Sequence, residues 1–540
     1  MSLRAAFWLI CLVGLALRLA GLRYGLPAVF NSDEPHLVNL AVSFGRGTLR
    51  PDLFKYPTLY PYALFAAFGV MFLFWSGFGL RKSISDFGGW FAWHPGPFYV
   101  VARSLSAAAS LAAILPVHRA AATFLGPWGA LVAAGTLAVS PVVVEAAHAA
   151  KPEALMFGFA AAAWLYAGAY IALGSRRELL LAGLCCGLAG ATQYSAAPLA
   201  VMLAAAWLAR RVKEGAPFSD LPLAVLAALA GVFAGAPYLF LDYPKFAAHL
   251  ADIRKLESMG TGIGLGPVAA NLACFSGPWV AGAAAALGAF AMLRRDKARA
   301  LWLLLPAVFC WLALSRSSEG GWARYGLAVY PGLALLAGAG FESLALGGPA
   351  AALALAAILA PGIWKSASYD RMVLQPDTRT LSAKWLEGNV PPGKTVLLDQ
   401  ESASPNLPMS RETVADLLAR TKEVGHPRAR FYQYMLNAHP GGGWRVYRVV
   451  RDYLDLHSYP EHVKFSQAAQ PILDVRAGLA AARKAGVEIV VLTSFGAQEG
   501  RSPELSKFLQ ETRGEGKELA RFEPEDGRVT GPSIQIYSLR

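Results

Sequence analysis

The sequence predicts a polytopic α-helical membrane protein of about 11 transmembrane helices, with juxtamembrane helices on the outer surface and a C-terminal extracytoplasmic α/β domain. Three observations carry this expectation. Of 540 residues, 55% are hydrophobic and only 16% are charged. Soluble domains carry about 25% charged residues, so this chain lacks the polar surface to cover itself in water. The mean hydropathy is +0.40. The imbalance is also local: residues 1–364 are a succession of Ala-, Leu- and Gly-rich runs, whereas 365–540 have the composition of a water-soluble domain.

A membrane helix needs about 20 largely apolar residues. The candidates are 5–22, 98–117, 126–144, 154–173, 179–196, 197–210, 221–240, 268–292, 300–314, 325–345 and 349–364. A break near Pro198 separates the fifth from the sixth. Arg4 followed by Phe7–Leu17 has the look of a secretory leader. Arg18 interrupts the apolar stretch, however, and no A-x-A site follows, so 5–22 reads as a retained first helix.

One further apolar segment, 57–78, decides the sidedness of everything after it. Laid along the outer surface, it leaves Arg4, Arg119, Arg176-Arg177, Arg210-Arg211-Lys213 and Arg294-Arg295-Lys297-Arg299 on the cytoplasmic side, as the positive-inside bias requires. Its aromatic opening, Tyr56 to Tyr62, suits the headgroup level. The expected topology therefore has the N-terminus inside and the tail outside. The outward parts are 23–97, 145–153, 241–267 and the tail. The expected domains are 1–364 for the membrane part, with 23–97 as its first extracytoplasmic loop, and 365–540 for the soluble part.

The net charge of +13 sits largely in short clusters between apolar segments. Membrane orientation accounts for it, and nucleic acid is not an expected partner. Cys11, Cys185, Cys186, Cys274 and Cys310 all lie in apolar runs, as small buried hydrophobes rather than a disulfide framework or thiolate metal site. In the tail, Thr395–Leu398, Val487–Leu492 and Ile534–Tyr537 are strand-like, while Asp377–Glu387, Arg411–Lys422 and Leu473–Ala485 have helical spacing. The tail holds no recognisable nucleophile or metal motif. Its expected work is acceptor binding, partner docking or covering the active cavity, with His426–His439 as the docking stretch.

Under this topology the unusual polar residues collect on one face. Asp33-Glu34 follow the first span. Arg18 and Arg103 lie near the outer ends of the first and second spans. His148 and Glu153 stand between the third and fourth, and Gln193-Tyr194 end the fifth. Arg316, Arg324 and Tyr325 border the loop before the tenth. Each has a bland account alone. Boundary arginines snorkel, Glu153 meets a helix dipole, Lys55 anchors on anionic headgroups, and His148 is an ordinary interfacial histidine. Their convergence raises the functional reading.

These residues stand in an order that resembles the bacterial members of the protein O-mannosyltransferase group. That group lies within the GT-C superfamily, which also includes the lipid A aminoarabinose transferases. The matching stretches are Leu15-Ala-Leu-Arg18-Leu, Asp33-Glu34, Gly47-Thr-Leu-Arg-Pro51, Tyr56-Pro-Thr-Leu-Tyr60 and Ala102-Arg103-Ser-Leu-Ser106. They continue with Ser140-Pro141, His148-Ala-Ala-Lys-Pro-Glu153, Gly187 to Tyr194, Ala236-Pro-Tyr238 with Leu241-Asp242, and Arg324-Tyr325 with Pro331. Asp377-Thr-Arg-Thr-Leu and Pro391-Pro-Gly393 open the tail as in relatives with an appended domain.

The resemblance implies a GT-C fold in a bacterial inner membrane, with a polyprenyl-phosphate-linked sugar as donor. The acceptor is a hydroxyl of a protein, lipid or glycan. Asp33 is the implied base, with Glu34 positioning it or holding a cation. Glu153 completes the catalytic set, and His148 lines the same cavity. Arg103, Arg324 and Lys55 face the donor phosphate, where cations stabilise the leaving group. Arg18, Tyr56, Gln193, Tyr194 and Tyr325 complete the substrate-binding set. Direct single displacement implies inversion. The residues name no cofactor; a divalent metal on Asp33, Glu34, His148 and Glu153 is compatible with them, and their spacing fixes no geometry.

Three positions depart from the pattern. Gln193 stands where relatives carry lysine, and Glu153 stands where they carry aspartate. Lys55 is one place off the lysine that touches donor phosphate in the aminoarabinose enzymes. Two alternatives stay open: a flippase that uses the same intramembrane arginines to pass the phosphate headgroup, and a non-catalytic scaffold, which Gln193 suggests. Against a transporter, the sequence shows no internal repeat or paired broken helices. The sugar and the acceptor are not named by the sequence.

Overall fold

The computed structural model describes residues 2–52, 54–80, 83–257, 279–314, 323–399, 403–426, 428–449, 470–494 and 505–539, with backbone only at 252–257 and 314. Compactness divides the chain into two units. The first is Met1–Leu22, Ser43–Ala66 and Val101–Asp370; the second is Arg23–Val42, Ala67–Val100 and Arg371–Arg540.

The apolar runs of the first unit are helical, because a backbone in hydrocarbon must satisfy its own polar groups. Leu59–Gly77, Gly96–Ala122, Glu153–Leu173, Tyr194–Glu214 and Gly348–Val373 are long and apolar enough to cross a membrane. Pro127–Ala138 and Pro141–Ala147, bent by 51°, pass the same test as a pair. The chain is a multi-pass membrane protein. Shorter helices stand at other expected spans: Leu3–Leu19, Arg176–Thr192, Asp220–Gly235, Val280–Arg295, Lys297–Leu314 and Tyr330–Ser343. The start of the expected span 268–292, with Cys274, lies outside the described residues.

Segment 57–78 forms the helix Leu59–Gly77, contributed to both units and apolar around its circumference. The break expected near Pro198 is present and begins earlier. Helix Arg176–Thr192 ends at Gln193, whose backbone is extended, and a short 3-10 turn precedes Pro198–Glu214. Pro198 opens that helix, where its missing N–H costs nothing.

Two features organise the packing. Arg176–Thr192 and Asp220–Gly235 touch backbone to backbone, since a Cβ on Gly187 would stand 1.9 Å from the Ala228 carbonyl oxygen. Small residues permit that approach in a bundle without a hydrophobic driving force. At the centre lies Pro127–Ala138, buried at every residue from Gly129 onward. Such a helix has no water for its terminal polar groups. Glu342 Oε1 accepts from Gly129 N at 2.7 Å at one end. At the other, Arg18 donates to Ala138 O at 2.8 Å and to Leu137 O at 3.3 Å. An acid at the N-terminus and a base at the C-terminus both oppose the macrodipole.

The second unit contains a six-stranded sheet, ordered β3-β2-β1-β4-β6-β5, from β1 Thr395–Leu398, β2 Arg445–Val449, β3 Ile472–Leu473, β4 Ile489–Thr493, β5 Lys517–Phe522 and β6 Ile534–Ser538. Strands β3, β2, β1 and β4 run parallel, whereas β6 is antiparallel to β4 and to β5. Successive side chains serve opposite cores. Val396, Leu398, Ile489, Val491, Ile534 and Ile536 face one, and Leu397, Val490, Leu492 and Tyr537 the other. Burial on both faces explains the nearly continuous apolar runs read from the sequence. The helix expected over Leu473–Ala485 is shorter: β3 ends at Leu473, and Gly478 at φ 95 precedes helix Leu479–Lys484.

The stretch His426–His439, of which residue 427 lies outside the described residues, packs within this unit. Its helix Ala429–Asn437 receives Ile84–Trp93 from the first loop. Trp93 Nε1 donates to Met435 O at 2.9 Å. A Cβ on Gly89 would stand 2.9 Å from the Ala438 side chain, so the two helices meet closely.

Candidate functional site

Charged side chains are costly among apolar helices, so buried ones mark where function sits unless structure explains them. In the first unit, Arg18, Arg103, His148, Lys151, Glu153 and Asp370 are all buried. They sort into structural clips and a charge cluster.

Arg18 is a clip. Nε donates to Ser110 Oγ at 2.9 Å and Nη1 to Gly14 O at 2.9 Å, in addition to its two bonds at the end of Pro127–Ala138. His148 caps helix Pro141–Ala147. Its Nδ1 lies 2.8 Å from Val144 O, its Nε2 contacts Ala20 O, and Asp370 Oδ1 is 3.4 Å from Nε2. The Tyr369 ring stands edge-on at 5.5 Å. Burial pushes the imidazole below its ordinary value; Arg18 and Arg103 add to the fall, and the two carbonyl contacts partly offset it. Both nitrogens face protein acceptors. Arg103 Nη1 donates to Leu22 O at 2.9 Å.

The charge cluster lies where segment 148–153 enters helix Glu153–Leu173. Glu153 Oε1 is 3.4 Å from Lys151 Nζ and 3.6 Å from Arg324 Nε, while Oε2 has no hydrogen-bond partner among the described residues. The carboxylate opens a helix, whose positive end favours it. Ser106 Oγ donates to Lys151 O at 3.4 Å and lies 3.0 Å from Tyr60 Oη, tying the segment to helix Gly96–Ala112. The Arg324 guanidinium stands 5.4 Å from the Tyr325 ring centroid. Glu145 is exposed, and the charges acting on it are Lys151, Arg324, Glu153 and Lys365.

Gln193 is buried at the helix break, and its Oε1 has no hydrogen-bond partner among the described residues. Beside it, Tyr194 Oη donates to Phe54 O at 3.1 Å. Lys55 Nζ stands 5.8 Å from the Tyr56 ring. Arg316 lies outside the described residues.

Asp33 and Glu34 belong to the second unit. Asp33 is half-buried, with its backbone N–H on Asn31 Oδ1 at 3.1 Å. Glu34 is fully buried and opens the helix Glu34–Ser43. Among the described residues, no three His, Cys, Asp or Glu side chains gather to hold a metal ion.

Two participants were missed by sequence reading. Lys151 lies inside the quoted His148–Glu153 motif, and a lysine between two apolar spans was its signal. Asp370 lies in the last turn of the helix Gly348–Val373, where an acid next to hydrocarbon was the signal.

Residues 99–239 match the family model described as dolichyl-phosphate-mannose-protein mannosyltransferase. No curated protein sequence shows significant similarity. Among solved structures, ArnT from Cupriavidus metallidurans in the apo state superposes with a TM-score of 0.56 at 14% identity, covering 99% of this chain and 98% of that one. The same protein bound to undecaprenyl phosphate gives 0.52 at 15% identity, covering 98% and 97%. The matched segment and the end-to-end shared fold bear out the resemblance to the GT-C superfamily of glycosyltransferases. Arg103, His148, Lys151, Glu153, Gln193 and Tyr194 all fall inside the matched segment.

Proposed function

From that shared fold, we propose that this chain is a membrane glycosyltransferase moving a sugar from a polyprenyl-phosphate donor to an acceptor hydroxyl. The observation that carries the reading is the buried Lys151–Glu153–Arg324 cluster within the family-matched part of an otherwise apolar bundle. Lys151, Arg324 and Lys365 set against Glu153 and Glu145 leave one net positive charge. That balance suits a phosphodiester headgroup and the phosphate it releases. ArnT, which shares the fold, binds undecaprenyl phosphate, and we extend that lipid class to this chain.

Asp33 is the proposed base, taking the acceptor proton as the hydroxyl attacks the anomeric carbon with inversion. Glu34, fully buried at a helix start, positions it. Arg103, Arg324 and Lys55 face the phosphate in this reading, and Tyr56, Gln193, Tyr194 and Tyr325 line the substrate. Arg18 and His148 act through the segments they hold, because their polar atoms are occupied by protein acceptors. The proposed orientation places residues 365–540 outside the cytoplasm, as the positive-inside bias favours.

The test is transfer from radiolabelled polyprenyl-phosphate sugars in proteoliposomes, comparing the natural chain with Asp33→Asn. Label should reach an acceptor only with the natural chain. Equal transfer by the variant removes Asp33 as base. No transfer from any donor by the natural chain favours the flippase reading, which a headgroup-flipping assay then decides.

A further inference from the structure

The loop leading to Asp33 is tight and strained. Tyr24, Gly25 and Phe30 fold on one another: Gly25 has φ +66, and a Cβ there would stand 2.6 Å from the Phe30 ring. Val29 N donates to Gly25 O at 2.7 Å, and Val29 itself has φ 55. A β-branched residue in the left-handed region is a genuine outlier. Such strain costs about 1–3 kcal/mol and persists only where the surroundings over-determine it.

The surroundings here come from the tail. Arg379 lays its guanidinium over the Phe30 ring at 3.6 Å and donates from Nη2 to Tyr24 Oη at 3.1 Å. The Tyr24 and Phe30 rings meet edge to face at 5.7 Å. Arg379 is aimed by Asp377, which accepts from Nε at 2.8 Å and Nη2 at 2.6 Å and caps the helix at Arg379 N at 2.9 Å. Asp377 is fixed in turn. Thr378 N donates to Thr530 O at 2.9 Å, and a Cβ on Gly531 would stand 2.7 Å from Asp377 Oδ1. The arginine and aspartate are both buried. A planar fork that grips a carboxylate along one edge and covers an aromatic ring with its face is a task for arginine, not lysine.

We infer that Arg379, aimed by Asp377, is a positioning residue for the Asp33 loop, so that the soluble tail sets the geometry of the base. This rests on the reading of Asp33 above. Only Asn31 and Ser32 separate Phe30 from Asp33, so freeing Phe30 lets the strained turn relax and the carboxylate wander. A displacement of about 1 Å at a reacting group costs roughly a hundredfold in rate.

The experiment measures hydrogen exchange and transfer kinetics on the full-length protein in lipid, for the natural chain, Arg379→Ala, Arg379→Lys and Asp33→Asn. In Arg379→Ala, exchange of amides 24–36 should rise about tenfold while β1 and β4 stay protected. Turnover should fall about a hundredfold with the donor KM nearly unchanged. Arg379→Lys keeps the charge, guards against misfolding of the alanine variant, and should show the same pattern more weakly. Asp33→Asn should abolish transfer with exchange at the natural level. Unchanged exchange at 24–36 in Arg379→Ala overturns the tether. Raised exchange with unchanged turnover overturns the positioning role. No transfer by the natural chain overturns the transferase reading and the catalytic half of this inference together, while exchange still decides the tether.

Discussion

At the scale of single residues, the decisive contrast is between buried charges whose polar atoms the fold takes up fully and those it takes up only in part. Arg18 and Glu153 both interrupt apolar sequence, and both are buried. The first hands its donors to Ser110 and the carbonyls of Gly14, Leu137 and Ala138; the second shares one oxygen between two cations and leaves the other without a hydrogen bond among the described residues. Breaking a buried ion pair on one side costs about 3–5 kcal/mol, whereas removing both partners often costs little. Glu153→Gln should therefore lower the melting temperature in detergent more than Lys151→Met/Glu153→Gln does. Transfer should be lost in both. A double variant less stable than the single one would show that Lys151 does not depend on Glu153.

At the scale of elements, Pro127–Ala138 shows how a fully buried helix is made tolerable. Its apolar residues say only that it is buried; its ends are satisfied by Glu342 and Arg18, from helices distant in sequence. Leaving buried carbonyls unsatisfied costs about 1–3 kcal/mol. Arg18→Met should destabilise the protein on that scale while leaving donor KM unchanged in the surviving fraction, as thermal unfolding and initial rates will report. A large KM change at unaltered stability would instead make Arg18 a substrate ligand. Both caps were invisible to local reading, because periodicity reports which face is apolar and not which distant residue meets an orphan carbonyl. The tail strands, in contrast, were legible as β1, β4 and β6, since strands buried on both faces are continuous apolar runs.

At the scale of the whole molecule, sidedness hangs on Leu59–Gly77, which is long and apolar enough to cross a membrane. Charge bias along the chain still favours basic clusters inside and the tail outside. Cysteines introduced at Ser175 and Ser506 test this in intact spheroplasts with a membrane-impermeant maleimide. Ser506→Cys should be labelled and Ser175→Cys spared; the reverse pattern would make Leu59–Gly77 a span and turn the tail inward.

By itself the sequence determined that this chain lives in a membrane, where its helices lie, that a sheet follows them, and which motifs resemble glycosyltransferases. Composition and period are local properties, and solvent selects on them directly. Only the tertiary structure decided that residues 23–42 and 67–100 group with the tail, that Arg379 covers Phe30, that His148 meets Asp370, and that no metal cluster forms among the described residues. Those partners are separated by up to hundreds of positions. Which of many compatible charges and rings meet is settled by packing geometry, and that leaves no trace in the spacing of residues along the chain.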